Sequence, residues 1–99
     1  MSQKGYFTSS AKLDLAIARD WYEREREGLG FDFVDEVKVA TRRIESNPLE
    51  FATVCREARI CPVKRFPYII VFRILDSVLE ILAVIHGHRD PEIWRSRNS

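Results

Sequence analysis

Two long apolar runs, "YIIVFRIL" (Tyr68 to Leu75) and "VLEILAVIH" (Val78 to His86), flank Asp76-Ser77 and constrain this chain more than any other feature. Runs rich in β-branched and aromatic residues, separated by a two-residue turn, predict an antiparallel hairpin, although Asp-Ser favours such a turn less than Asn-Gly or Asp-Gly does. Both runs are apolar at odd and even positions alike, so both faces of each strand must be covered and the pair lies centrally in a sheet. Helices are then expected over one face and something smaller over the other. A chain of 99 residues builds one core and hides roughly 65% of its unfolded surface, so the expectation is a single domain over residues 1–99.

The rest of the chain supplies those layers. Tyr6-Phe7-Thr8 reads as a short strand, and Ser9-Ser10 can cap a helix because their hydroxyls accept from first-turn amides. Ala11, Leu15, Ala18 and Tyr22, with Trp21 alongside, form one apolar stripe on a helix ending near Gly28; Leu13 and Ile17 lie off it and should meet solvent or a partner. Phe33, Val37, Ala40 and Ile44 repeat the spacing on a second helix that Asn47-Pro48 stops. A short connection makes the two an antiparallel helical hairpin, with Trp21 and Tyr22 as its anchors. Arg59 to Arg65 alternates weakly around Pro62, which suggests an edge or bulge, and Phe66-Pro67 turns the chain into the first apolar run. The fold class is α+β: an N-terminal strand, the helical hairpin, then a three-stranded antiparallel run forming a curved sheet.

Charge argues against blanket attraction to nucleic acid or membrane, because the formal net charge is only +1. Its distribution is uneven: residues 1–50 carry 8 Lys/Arg against 10 Asp/Glu, and residues 51–99 carry 8 against 5. The basic character therefore travels with the C-terminal half. Cys55 and Cys61 match neither a CxxC pair nor a zinc knuckle, which fits a reducing compartment. No leader-like stretch opens the sequence and no apolar run approaches the ~18 residues of a membrane span, so the expected location is cytoplasmic.

The second run ends in "HGHRDPEIW", two imidazoles, a guanidinium and a carboxylate within five positions. Asp90 can cap and Pro91 suits a first helical position, so the strand is expected to leave the core here and Trp94 to fold back on the sheet. His86 is the best acid or base by type, since imidazole titrates near neutrality. His86 and His88 share one side of an extended strand, the geometry of a metal grip, but no third and fourth ligand stand at a recognised spacing, so no metal is expected. Arg89 beside a histidine suits an acidic peptide or a phosphate.

Four segments, "SSAKLDLAIARDWY", "LGFDFVDEV…RRIESNP", "RFPYIIVFRI" and "ILAVIHGHRDPEIW", in this order and over nearly the whole chain, resemble the RelE/ParE toxin superfamily of bacterial type II toxin–antitoxin modules. The resemblance is strongest to its ParE-like, plasmid-stabilisation branch, whose fold agrees with the layers above. It implies a toxin that poisons DNA gyrase by binding it and is held in check by a cognate, acidic antitoxin whose segment wraps the toxin. No cofactor is implied. The binding surface is expected on Leu13, Ile17, Lys64, Arg65, Arg73, His86, His88 and Arg89, and homo-oligomers are left open.

Two other readings stand beside it. The RelE branch implies a ribosome-dependent endoribonuclease acting on mRNA, for which His86 with Arg65 or Arg89 would be the catalytic set. Against it, the central strand reads Tyr68-Ile69-Ile70-Val71-Phe72 where nuclease relatives carry a phosphate-directed arginine, and their C-terminal tyrosine or basic cluster has no counterpart beyond Arg95 and Arg97. The third reading is a toxin-derived binding module without toxicity.

Overall fold

The computed structural model describes residues 3–87 and Arg97. In chain order these form β1 (Gly5–Phe7), α1 (Ser9–Glu25), α2 (Leu29–Ser46), a single 3-10 turn at Pro48–Glu50, β2 (Thr53–Cys55), β3 (Ala58–Pro62), β4 (Tyr68–Leu75) and β5 (Val78–His86). The five strands make one sheet in the order β1-β5-β4-β3-β2. β1 runs parallel to β5, and every other neighbouring pair is antiparallel. The expected pair of apolar strands is thus central, with β4 and β5 flanked on both sides.

The two apolar parities have a specific origin. Val71 pairs with Ala83 but Phe72 pairs with Ile81, so Leu82 is an extra residue in β5, a β-bulge. Across the bulge the alternation changes phase: Leu79, Ile81 and Val84 face the helices, whereas Leu82, Ala83 and Ile85 join the smaller cluster on the opposite face with Ala58 and Val71. The turn between β4 and β5 holds both Asp76 (φ 52) and Ser77 (φ 66) in the left-handed region that a tight two-residue hairpin needs.

Helix boundaries follow local chemistry. α1 begins one residue earlier than its serines suggest, because Thr8, extended at the end of β1, accepts from the Ala11 amide through Oγ1 at 3.2 Å. The α2 stripe is buried as its spacing predicts, with Phe33, Val37, Ala40 and Ile44 at most 3% exposed. On α1, Ala11, Ala18 and Tyr22 are buried and Leu15 packs partly against them. Trp21 departs from the expectation that it anchors the hairpin: it meets Tyr22 edge-on at 5.0 Å yet is 49% exposed. A fourth strand also joins the run after the helices, since β2 is only three residues long and carries too little periodicity to be read from sequence.

Where the helices cross, Gly30 leaves no room for a side chain. An added Cβ would stand 2.6 Å from the Arg19 carbonyl oxygen and 2.8 Å from Glu23 Oε1. The same Glu23 carboxylate accepts from the Gly28 and Gly30 amides, both at 2.9 Å, and so fixes the start of α2. Gly30→Ala should therefore lower stability by about 1–3 kcal/mol through overpacking, less the ~1 kcal/mol gained from helix propensity. Urea denaturation of both proteins measures the difference, and a more stable variant would contradict the close crossing.

Candidate functional site

The start of β4 and the end of β5 meet α1 at a groove of about 590 Å³, lined by Ile17, Trp21, Tyr22, Pro67, Tyr68 and His86 among others. Each wall has a local cause. Ile17 and Trp21 stand one helical turn apart, off the buried stripe, so they project beside it at 60% and 49% exposure. Tyr68 opens β4 and His86 closes β5, in direct register, with ring centroids 5.7 Å apart. Tyr68 in turn packs on Tyr22 and Phe33, so the groove floor is continuous with the aromatic core. Burial pushes the Tyr22 phenol above its ordinary 10.0, with the neighbouring Tyr68 adding to the shift. Tyr22 therefore brings no charge to the floor at physiological pH.

Beside this groove a smaller cleft of about 120 Å³ runs between Asp14 and the last residues of β5. β1 pairs with β5 at Leu79 to Ile81, so among the described residues the edge of β5 beyond that point has no strand beside it. Side chains serve there instead. Asp14 Oδ2 accepts from the Val84 amide at 3.1 Å, and Arg97 donates to Asp14 (Nη1 to Oδ2, 2.6 Å; Nη2 to Oδ1, 3.3 Å) and to the Leu82 carbonyl at 3.3 Å. A guanidinium clasp of this kind covers the backbone polar groups that an edge strand leaves open.

The residues expected at the site divide into several groups. Ile17 and His86 share the groove, while Leu13, 61% exposed, continues the α1 ridge one turn before it. Arg65 adopts φ 72 and turns toward α2, 3.6 Å from both Asp32 and Glu36, so its guanidinium is held by the helical hairpin. Lys64 is exposed in the same loop. Arg73 lies on the opposite sheet face, where its Nε donates to Glu80 at 2.9 Å across the β4–β5 ladder. Strand alternation sends it there, since Tyr68, Ile70 and Phe72 point at the helices and the odd positions between them do not. Of the residues expected on one binding surface, Arg73 and His86 thus lie on different faces of the sheet. His88, Arg89, Asp90, Pro91 and Trp94 lie outside the described residues.

Sequence reasoning overlooked Trp21 as a groove wall and the clasp between Asp14 and Arg97. The first was legible in the four-residue spacing of Leu13, Ile17 and Trp21, a second apolar ridge that no core position needs. The second carried no local signal, because its partners are 83 residues apart.

Away from the groove, Cys61 is wholly buried, and that burial pushes its thiol above the ordinary 9.0. A group held protonated by the fold favours the folded state up to its unfolded-state value and loses that advantage as pH rises further. Stability should therefore decline once pH passes 9.0 for Cys61 and again past 10.0 for Tyr22. Urea midpoints across the alkaline range test this, with Cys61→Ala expected to remove the earlier part of the decline. Among the described residues, no helix is long and apolar enough to cross a membrane.

Comparisons with known proteins bear on this geometry. Residues 6–91 match the family described as the ParE toxin of the type II toxin–antitoxin system, parDE. The chain is 37% identical over 59 residues to Toxin ParE2 of Mycobacterium tuberculosis, in strains CDC 1551 / Oshkosh and ATCC 25618 / H37Rv; the match takes in 60% of this chain and 53% of the relative. It thus spans about half the length of the curated relatives it matches. Among solved structures, a chain of the chromosomal ParDE TA system from P. aeruginosa superposes with a TM-score of 0.73 at 18% identity, covering 86% of this chain and 96% of that one. That likeness shows the same fold.

Proposed function

We propose, taking as premise that this chain belongs to the ParE toxin family of type II toxin–antitoxin systems, that it acts by binding DNA gyrase and is neutralised by a cognate antitoxin seated in the α1–β5 groove. The observation that carries the reading is the groove itself. Ile17 and Trp21 expose apolar area that contributes nothing to the core, beside an aromatic floor. Large aromatic and branched side chains in a partly formed pocket are the usual energetic centre of a protein interface.

The occupant's form follows from the β5 edge. Asp14 and Arg97 already bond the Val84 amide and the Leu82 carbonyl, so an added strand would have to displace a charged clasp. An amphipathic helix laid along Ile17 and Trp21 meets no such barrier and needs only apolar anchors one turn apart. An acidic partner is further favoured by the surplus of basic residues in the C-terminal half.

The nuclease alternative would require cations around His86 to stabilise charge on phosphorus. Arg65, one of the two arginines available to it, is turned to carboxylates on α2. Binding is the reading the described residues support better.

A supercoiling assay with purified gyrase tests the target. Inhibition relieved by the co-encoded antitoxin is the expected result; full supercoiling in the presence of excess protein would exclude this target. Messenger RNA cleavage on ribosomes, abolished by His86→Ala, would move the assignment to the nuclease branch. Unimpaired growth despite abundant folded protein would leave a binding module without toxicity.

A further inference from the structure

Pro67, which lines the α1–β5 groove, sits in the loop between β3 and β4, residues 63–67. The loop is closed at its base, where the Val63 amide donates to the Tyr68 carbonyl at 2.9 Å. It is also tied to the neighbouring strand, because the Gly87 amide, just past His86, donates to the Pro67 carbonyl at 2.8 Å. Phe66 fastens its inner side, with ring centroids 4.9 Å from Tyr22 and 5.1 Å from Phe33. The turn that places these groups falls on Arg65.

Local chemistry explains why. Pro67 fixes its own φ and biases Phe66 towards an extended backbone, so the reversal of the chain has to be taken up before them. Arg65 takes it with φ 72, a conformation that suits glycine and is disfavoured for a side chain with a Cβ. The other positive-φ non-glycine residues among the described ones, Arg56, Asp76 and Ser77, lie in two-residue turns between adjacent strands, where the hairpin itself demands that geometry. No such short turn holds Arg65.

What holds it is its side chain. Asp32 and Glu36 stand one helical turn apart on α2, so both carboxylates face the same way, and the Arg65 guanidinium reaches each at 3.6 Å. The same group lies over the Phe66 ring, 5.6 Å from its centroid. Each ion pair by itself is solvent-exposed and weak, yet the planar fork serves two carboxylates and a ring at once, which the single ammonium of a lysine does not reproduce. Neither acid is among the residues lining the groove.

We infer that Arg65 is a positioning residue for the α1–β5 groove: anchored to Asp32 and Glu36 on α2, it holds the left-handed turn that sets Phe66, Pro67 and Tyr68 in place as the groove wall. A residue whose charge suggests direct contact with a partner thus acts from behind the wall. The inference rests on the recognition reading above for the use of the groove, whereas the positioning itself requires no partner.

NMR of the full chain tests the positioning through the Gly87 amide and the Tyr68 and His86 ring signals, which report on a packing of 5.7 Å between centroids. Arg65→Ala should displace all of them while the urea midpoint changes little, since the Arg65 side chain is 56% exposed. Binding is read by fluorescence anisotropy with a labelled amphipathic helical peptide that carries leucine and tryptophan one turn apart and glutamine on its polar face, so that bulk charge does not steer it. Arg65→Ala should weaken this peptide about fivefold or more, because the wall is no longer preorganised. Arg65→Glu should do the same, and adding Glu36→Arg should restore signals and affinity to within about a factor of two. A direct contact between Arg65 and the peptide would not be repaired by a substitution on α2. Unmoved Tyr68, His86 and Gly87 signals in Arg65→Ala, or a folded swap that restores nothing, overturns the inference. If the swapped protein does not fold by circular dichroism, Arg65→Gly carries the comparison, because glycine adopts the left-handed turn unaided; displacement equal to that of the alanine variant overturns the inference. Absence of peptide binding by the wild-type protein would instead count against the groove as a recognition surface, and the ring signals would still decide what places its wall.

Discussion

Phe33→Ala should lower the free energy of unfolding by about 3–5 kcal/mol, the largest single-site loss expected in this chain. Phe33 is wholly buried, and its ring lies 5.2 Å from Tyr22, 5.1 Å from Phe66 and 5.0 Å from Tyr68. One substitution therefore empties the point where both helices, the β3–β4 loop and the first residue of β4 converge. Cavities cost most where neighbours cannot collapse inward, and here the neighbours are rigid rings held by separate elements. A small domain has about 5–15 kcal/mol in total, so much of the population could unfold at growth temperature. Phe31→Ala is the matching control: Phe31 is 70% exposed, and its loss should fall within about 0.5 kcal/mol. Similar urea midpoints for the two variants would mean that the aromatic cluster does not carry the fold.

The second large effect concerns recognition. On the proposed reading, Trp21→Ala combined with Ile17→Glu should weaken antitoxin binding by about 2–4 kcal/mol, a loss of thirtyfold to a thousandfold by calorimetry. Both side chains are at least 49% exposed, so thermal stability should change little while affinity falls. The contrast with Arg73→Glu is informative. Arg73 lies on the far face and holds Glu80, so its reversal should cost stability through two facing carboxylates and leave antitoxin affinity near wild type. If Arg73→Glu abolished binding and the groove variant did not, the recognition surface would belong on the other side of the sheet.

Much of this architecture was legible in the chain. The α2 stripe of Phe33, Val37, Ala40 and Ile44 is buried residue for residue, because a helix of this length obeys a single period and has one face to hide. The apolar runs at Tyr68–Leu75 and Val78–His86 gave the central hairpin with its two-residue turn. β2 escaped notice because three residues of weak pattern become a strand only when β3 is beside them. The N-cap moved by one residue for a similar reason, since the extended backbone of Thr8 is set by β1.

The site was legible only in part. Ile17 and His86 are types that stand out against their surroundings, a branched apolar residue off the stripe and an imidazole at a strand end, and both line the groove. Arg65 and Arg73 stand out in the sequence by charge alone. Charge does not report direction: a left-handed backbone turned Arg65 toward Asp32 and Glu36, and alternation placed Arg73 beneath the sheet.

What the sequence by itself determined is the set of elements and the face each one buries, because hydrophobic period and turn chemistry are local properties of consecutive residues. What only the tertiary structure decided is which surfaces meet. The bulge at Leu82 sets the facing of β5, the approach of α1 to the end of that strand makes a groove of Ile17, Trp21, Tyr68 and His86, and Arg97 reaches Asp14 across the chain. Such meetings depend on contacts between residues far apart in sequence, and a periodic pattern along the chain holds no record of them.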